Sequence, residues 1–323
     1  MQGFTILMHN MIKGTYIFYQ DGKEIYRASN IITKFGRRFL TNFLAGNINS
    51  NAKDMAFGID STAVDANGND TRLGFEFYRL PVKFGTTDIQ TTNGDTTYSI
   101  VYKTTLPQDV AAQINEIGIY PSNRTSQNDY DSKMVTDFGY FIDWVDSNGY
   151  NPSTSTAGTK IGSSSLVMSS SSQAANEYSA NVTGLSLAGY SVNDSIRLAY
   201  YLNDVNCDNI QINFYSSDND YYSTTIDTNG DGIGYYITNN ILLNDLYSSP
   251  IGSPIKSQIN KIGIVITPTS GNDTSVNLDG LRINDEDTFD PTFGLISRAV
   301  LGDTLIKSAG RSVDVEYRLD LGF

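Results

Sequence analysis

Cysteine and histidine are almost absent: the 323 residues hold one of each, Cys207 and His9. A disulfide framework within the chain is therefore excluded, and so is a zinc site built from thiolates and imidazoles. A serine triad would have to recruit His9, close to the start of the sequence, which argues against one. Basic residues are few: 22 Lys and Arg stand against 35 Asp and Glu, a formal charge of −13. Nucleic-acid binding needs a basic surface, so that partner class is set aside. Long apolar runs are missing too. The run from Phe4 to Met8 is broken by His9, Asn10 and Lys13 before it reaches the length of a signal-peptide core. No stretch approaches the ~20 apolar residues of a membrane-spanning helix. The expectation is a chain made in a cytoplasm, with no membrane partner. No phosphate-cradling glycine loop, dinucleotide fingerprint or nucleophile elbow occurs.

What the chain does hold is tyrosine (21), phenylalanine (15) and glycine (28), set among Ser, Thr and Asn. Disordered chains lack aromatics, so a folded protein is expected. Strand formers separated by Asp-Gly and Asn-Gly pairs predict a mainly β protein. Gly14–Tyr19 and Glu24–Arg27 read as a hairpin closed at Asp21-Gly22. One helix is expected over Thr33–Gly46, with Phe35, Phe39, Leu40, Phe43 and Leu44 on one stripe. Further strands are expected at Asp54–Asp60, Gly74–Val82, Tyr98–Leu106, Ile114–Tyr120 and Phe138–Val145. In Val313–Leu321, Val313, Val315, Tyr317 and Leu319 alternate with charged residues.

Two stretches have linker chemistry, residues 146–162 and Asp287–Gly294. Between them, strands at Ser195–Leu202, Asn209–Ser216, Tyr221–Ile226, Gly232–Thr238, Ile259–Thr267 and Ser275–Ile283 are spaced as in a jelly roll. The expected organisation is a β-sandwich domain over 1–150 plus 293–323, interrupted by an inserted jelly roll over 151–292. Insertion of this kind is tolerated where two connection points are close and exposed.

The flanking segments carry a series of short motifs. They are Asn30-Ile31-Ile32-Thr33-Lys34-Phe35-Gly36 and Ala56–Asp60. Next come Asp70, Thr71, Leu73, Glu76, Arg79, Pro81 and Val82, then Ile114–Tyr120. The last are Ser297-Arg298-Ala299, Ile306-Lys307, Gly310 and Val313–Tyr317. In this order they resemble a domain that recurs in virion structural proteins of tailed bacteriophages, in tail-fibre, collar and baseplate-associated proteins. Arg79 stands one residue past the strict spacing. The resemblance covers 1–145 and 295–323. It implies a non-enzymatic structural role in the particle, with other virion proteins and copies of the same chain as partners, and assembly in the host cytoplasm. Alternatives are a capsid decoration protein or a tail-associated glycan-degrading enzyme. The inserted segment, through "SLAGYSVNDSIRLAYYL", "NIQINFY" and "VNLDGLRI", resembles a jelly-roll module of the carbohydrate-binding type. That implies host-surface polysaccharide as a further partner.

Alternation within the insert places Ile196, Leu198, Tyr200 and Leu202, then Ile210, Ile212 and Phe214, then Ile233, Tyr235 and Ile237, on core faces. The opposite faces carry Arg197, Tyr201, Gln211, Asn213, Tyr215 and Tyr236, the candidate glycan site. Tyrosine rings stack on sugar C–H faces, and planar polar groups bind hydroxyls. The same face could equally pack on a second sheet or a neighbouring subunit. Asp227, Asn229 and Asp231 match the start of a calcium loop, but Thr238 stands where its closing Glu is required. A plain Asp-Gly turn is the preferred reading; no cofactor is required, and Ca2+ is the one candidate ion. At Asp279-Gly280 the alternation breaks, which predicts a β-bulge. Glu177, Asp204, Asp208 and Asp218 read as solvated loop acids rather than catalytic ones.

Overall fold

The computed structural model describes residues 12–47, 52–92, 95–121, 133–139, 143–147, 149–171, 174–284 and 294–322. Apart from Gly294, the linker expected at Asp287–Gly294 lies outside them. The protein is mainly β, with four antiparallel sheets and two α-helices among the described residues.

In chain order the first strands are β1 (Ile12–Gln20), β2 (Lys23–Ser29), β3 (Ile31–Ile32), β4 (Ala52–Gly58), β5 (Glu76–Pro81), β6 (Lys83–Thr92), β7 (Asp95–Leu106) and β8 (Ala112–Pro121). Helix α1 (Lys34–Leu44) separates β3 from β4. Then come β9 (Lys133–Thr136), β10 (Val145–Asp146), β11 (Ser153–Ser155), β12 (Ser165–Ser170), β13 (Asn176–Leu185), β14 (Ser195–Leu202), β15 (Cys207–Ser217), β16 (Asp220–Asp227), β17 (Gly234–Ile237) and β18 (Ile241–Leu242). Helix α2 (Leu243–Ser248) leads to β19 (Ile259–Pro268) and β20 (Thr274–Asn284), and β21 (Ser297–Lys307) and β22 (Val313–Gly322) end the fold.

The chain divides into two compact units, residues 1–127 with 288–323 and residues 128–287. The first unit has two five-stranded sheets. Sheet A runs β2-β1-β22-β7-β6 and sheet B runs β3-β21-β8-β4-β5. Strand β22 joins the two ends of the sequence: Tyr317 lies opposite Tyr16 of β1 and Tyr102 of β7. Its alternation holds in full, with Val313, Val315, Tyr317 and Leu319 all buried. The Asp21-Gly22 turn has φ of 51° and 74°, the left-handed pair that a two-residue hairpin turn requires. Helix α1 is capped by Thr33, whose Oγ1 accepts the Gly36 N–H at 2.9 Å. Phe35 and Phe39 are buried, whereas Phe43, expected on the same stripe, is exposed.

The second unit is a sandwich of sheet C (β11-β12-β20-β14-β17, with β18 beside β14 and β9 beside β20) and sheet D (β10-β13-β19-β15-β16). If β12, β13, β14, β15, β16, β17, β19 and β20 are counted one to eight, the sheets read 1-8-3-6 and 2-7-4-5. This is the jelly-roll order, two interleaved Greek keys. Between the sheets lies a continuous core that includes Leu198, Ile212, Phe214, Ile264 and Leu278.

Two expectations change here. The expected boundary at residue 150 comes too late, because β9 pairs with β20 and β10 with β13, inside the second unit. The stretch 138–145, expected as a strand, contributes only the start of β10 among its described residues. Phe138 has φ of 53°, and its ring packs at 5.2 Å on that of Trp144 in the core.

Candidate functional site

The outward face of sheet D is where uncharged polar and aromatic side chains converge. Ile210, Ile212 and Phe214 of β15 point into the core, so Gln211, Asn213 and Tyr215 point outward. By the same alternation β13 presents Glu177, β19 presents Lys261 and Gly263, and β16 presents Tyr221. Cross-strand register sets them in rows. One row reads Asn181, Lys261, Tyr215, Tyr221, and Ile251 extends it through a bridge to Tyr221. The next reads Ser179, Gly263, Asn213, Ser223.

Hydrogen bonds lock these groups together. The Tyr215 hydroxyl donates to Glu177 Oε1 at 2.6 Å, and Asn213 Nδ2 lies 3.1 Å from that hydroxyl and 3.3 Å from the same carboxylate oxygen. Gln211 Nε2 donates to Asn213 Oδ1 at 2.8 Å. Glycine at 263 makes this possible: a Cβ there would stand 2.0 Å from Glu177 Oε1 and 2.9 Å from the Tyr215 ring. The Tyr215 and Tyr221 rings lie 4.7 Å apart at 42°, and Lys261 Nζ sits 4.3 Å from the Tyr215 centroid while pairing with Asp218 at 2.5 Å. Tyr215 is therefore only 6% exposed although it points away from the core. That burial, and then the neighbouring Glu177 carboxylate, push its phenol pKa up. Tyr221, Gln211, Glu177 and Lys261 are half-buried and form the accessible surface. Gln211 Oε1 and Glu177 Oε2 have no protein partner among the described residues.

Of the six expected site residues, Gln211, Asn213 and Tyr215 come together here. Arg197 and Tyr201 lie on the outward face of sheet C instead. Arg197 Nε donates to the Thr238 carbonyl at 2.8 Å, and Tyr201 is covered by Gly158, where a Cβ would approach its ring to 2.3 Å. Tyr236 corrects the sequence reading. Strand β17 pairs Tyr236 with Tyr200 and Tyr235 with Tyr201, so Tyr236 faces the core and stacks on Tyr200 at 5.6 Å and 20°. The apolar residues Ile233 and Ile237 suggested the opposite phase, but Ile233 precedes the strand and is 60% exposed. A one-residue slip moves every side chain to the other face.

Tyr221, Glu177 and Lys261 were not among the expected site residues. The alternation of Tyr222 and Ile226 in β16 was the available signal for Tyr221. Glu177, expected on a loop, stands within β13.

Asp227, Asn229 and Asp231 occupy the turn from β16 to β17. Asp227 Oδ1 accepts the Asn229 N–H at 3.0 Å, and the Asp231 N–H donates to the Thr228 carbonyl at 3.0 Å. Among the described residues no group of three or more His, Cys, Asp or Glu is placed to hold a metal ion. Asp279 is the bulged residue of β20, since Ala199 pairs with Gly280 and Tyr200 with Leu278. Its buried carboxylate accepts the Tyr235 hydroxyl at 2.5 Å and the Lys160 N–H at 2.9 Å, and these fix residues 157–161 over sheet C. Burial pushes its pKa up to about 7.

The charged motif residues of the first unit form a separate cluster. Glu116, fully buried in β8, accepts the Gly74 and Phe75 N–H groups at 2.9 and 2.8 Å and pairs with Arg298 at 2.7 Å. Arg298 also reaches Asp70 at 3.1 Å and the Thr62 carbonyl at 3.2 Å. Glu76 and Arg79 form a two-pronged pair at 2.6 and 2.7 Å, with Arg79 4.0 Å over the Tyr120 ring. Glu116 and Arg298 thereby clasp the 59–75 segment onto sheet B.

No family model matches the chain. No curated protein matches its sequence. Among solved structures it is similar to a family 11 carbohydrate-binding module from Clostridium thermocellum in complex with a β-1,3-1,4-mixed-linked tetrasaccharide. That match has 12% identity and a TM-score of 0.33, and it covers 47% of this chain and 95% of that one. A carbohydrate-binding module specific for non-crystalline cellulose matches at 15% identity and a TM-score of 0.28, over 44% of this chain and 87% of that one. An exo-β-agarase matches at 13% identity and a TM-score of 0.36, over 49% of this chain and 26% of its own length.

Proposed function

We propose that this chain is a structural protein whose inserted jelly roll binds glycan on the outward face of sheet D. The supporting observation is the Tyr215–Tyr221 pair, held by Glu177 and Asn213, with acceptors of Glu177 and Gln211 open beside it. A ring fixed before the ligand arrives loses little conformational entropy on binding. Tyr221 offers an aromatic face to sugar C–H groups, and the open oxygens accept hydroxyl protons. Glycoside hydrolysis would need a second carboxylate opposing Glu177. Asp218, in the turn between β15 and β16, is tied to Lys261 and its side chain is 87% exposed. Binding without turnover is therefore our reading. The virion part of the proposal, a tail, baseplate or neck component, rests on the resemblance of the flanking segments.

The test is an array of bacterial surface polysaccharides probed with the full chain, followed by calorimetry on any glycan that binds. Tyr221→Ala should weaken binding at least tenfold, a loss of ~1.4 kcal/mol. Arg197→Ala with Tyr201→Ala, on the other sheet, should leave binding unchanged, and so should a calcium chelator. No binding to any glycan by the folded chain would refute the proposal.

A further inference from the structure

The turn from β16 to β17 holds a residue pair that the glycan face does not use. Asn229 and Gly230 are the central residues of a turn closed by the Asp231 N–H, which donates to the Thr228 carbonyl at 3.0 Å. Both are exposed. Gly230 has φ of 88°, and a Cβ there would meet no atom within 4 Å. Among the described residues no hydrogen bond reaches the Gly230 N–H or the Asn229 side-chain amide. Thr228, by contrast, is buried and bonds to the carbonyls of Asp208 and Cys207 at 3.0 Å each. The turn is anchored at its base and open at its tip. Asn67-Gly68 is the same dipeptide in another setting. Gly68 is buried, and its N–H donates to the Asp65 carbonyl at 2.8 Å. The Asn67 carbonyl accepts Arg37 Nη2 at 2.9 Å. A Cβ on Gly68 would lie 3.1 Å from Arg37 Nη2, from the Ile32 carbonyl oxygen and from Thr33 Cα.

We propose that Asn229 is a self-modifying site, converted through a cyclic imide to aspartate and isoaspartate, and that the fold spares Asn67. The Gly230 backbone nitrogen attacks Asn229 Cγ. A bond forms between them, the Cγ–Nδ2 bond breaks, and ammonia leaves with the proton of the Gly230 nitrogen. Water then opens the imide. Opening at Cγ restores the chain as aspartate, and opening at the backbone carbonyl lengthens it by one methylene as isoaspartate. To reach Cγ, the attacking nitrogen must swing about the Asn229 Cα–C bond. Glycine permits that rotation without a Cβ clash, and at residue 230 the single bond from Asp231 to Thr228 opposes it. At residue 68 the same rotation would break the Gly68 bond to Asp65 and the Asn67 bond to Arg37, within backbone packed at the start of α1. Access to the attack geometry sets the rate of such a step. The two sites therefore part in the folded chain and converge in the unfolded one.

The test holds the full chain folded at pH 8, beside a sample unfolded in guanidinium, and follows both over days by digestion and tandem mass spectrometry. In the folded chain Asn229 should lose its amide at least tenfold faster than Asn67. Isoaspartate, read by enzymatic methyl transfer, should rise in step, and Asn229→Gln should remove that rise. In guanidinium the two asparagines should convert at similar rates. An Asn229 that keeps its amide in the folded chain, an Asn67 that keeps pace with it there, or a gap that persists after unfolding overturns the inference.

Discussion

Replacing Arg298 with methionine puts the buried clasp of the first unit to a quantitative test. The substitution keeps the aliphatic bulk and removes the guanidinium that pairs with Glu116 at 2.7 Å and Asp70 at 3.1 Å. Glu116 would keep its backbone N–H donors from Gly74, Phe75 and Asp60 but lose the guanidinium paired with it in a site closed to water. Removing one partner of a buried ion pair costs about 3–5 kcal/mol, mostly because the other charge is left uncompensated. The cost should also depend on pH. Burial already raises the Glu116 pKa above its ordinary value, with Arg298 as the strongest influence lowering it. Without Arg298 that pKa rises further, and the native state holds a proton that the unfolded chain releases. Stability is then lost as pH rises through the native pKa and recovered as pH falls. The variant's deficit should therefore shrink between pH 7 and pH 5. Urea unfolding followed by backbone circular dichroism measures it, while Trp144 fluorescence follows the second unit separately. Adding Glu116→Gln, which removes the stranded charge, should recover part of the loss. A single-variant loss under about 1 kcal/mol, or a deficit that widens on acidification, would refute the reasoning.

Gly263→Ala should separate Tyr215 from Glu177, because the new Cβ falls 2.0 Å from Glu177 Oε1. Near-ultraviolet circular dichroism should report the loosened tyrosine, and stability should fall by about 1–3 kcal/mol, as for other overpacking changes. The Asp279 pKa of about 7 makes the native jelly roll hold a proton that the unfolded chain has already lost. Its contribution is present at low pH and is lost as pH rises through about 7, so thermal unfolding seen by Trp144 should shift downward between pH 5 and pH 8. Asp279→Asn should flatten that dependence.

Legibility in the sequence followed the strength of alternation. β22 and β15 have strict apolar alternation, and their faces were readable residue by residue. β13 (Asn176–Leu185) has only Tyr178 and Ala180 as inward markers before its irregular end, so its sequence does not read as a strand. Glu177 consequently reads as a loop acid in the sequence. β6 is a threonine-rich edge strand with no buried side chain among those described, and burial is what writes periodicity into a strand. In β17, Gly-Tyr-Tyr-Ile is half-buried throughout, and pairing with β14 alone decided which tyrosine faces inward. The meeting of Glu116 with Arg298 depends on β8 pairing with β21 across more than 180 residues, which no local pattern encodes.

The two polar clusters differ in a way that bears on function. In the first unit, full charges are buried and matched: Glu116 has N–H donors from Gly74 and Phe75 as well as Arg298, and Arg298 has Asp70 and the Thr62 carbonyl besides Glu116. A ligand entering there would have to break bonds already made in a low-dielectric site, where each is costly to leave unmade. On sheet D the network uses each side chain only in part. Among the described residues, Glu177 Oε1 holds Tyr215 and Asn213 while Oε2 is left open, and Gln211 spends its amide nitrogen and keeps its oxygen. The bonds that are made fix the geometry, and the acceptors left open are the ones that, on our proposal, a glycan would use. The same residue types thus serve opposite ends: under the 59–75 segment they close a surface, and on sheet D, in the function we propose, they prepare one.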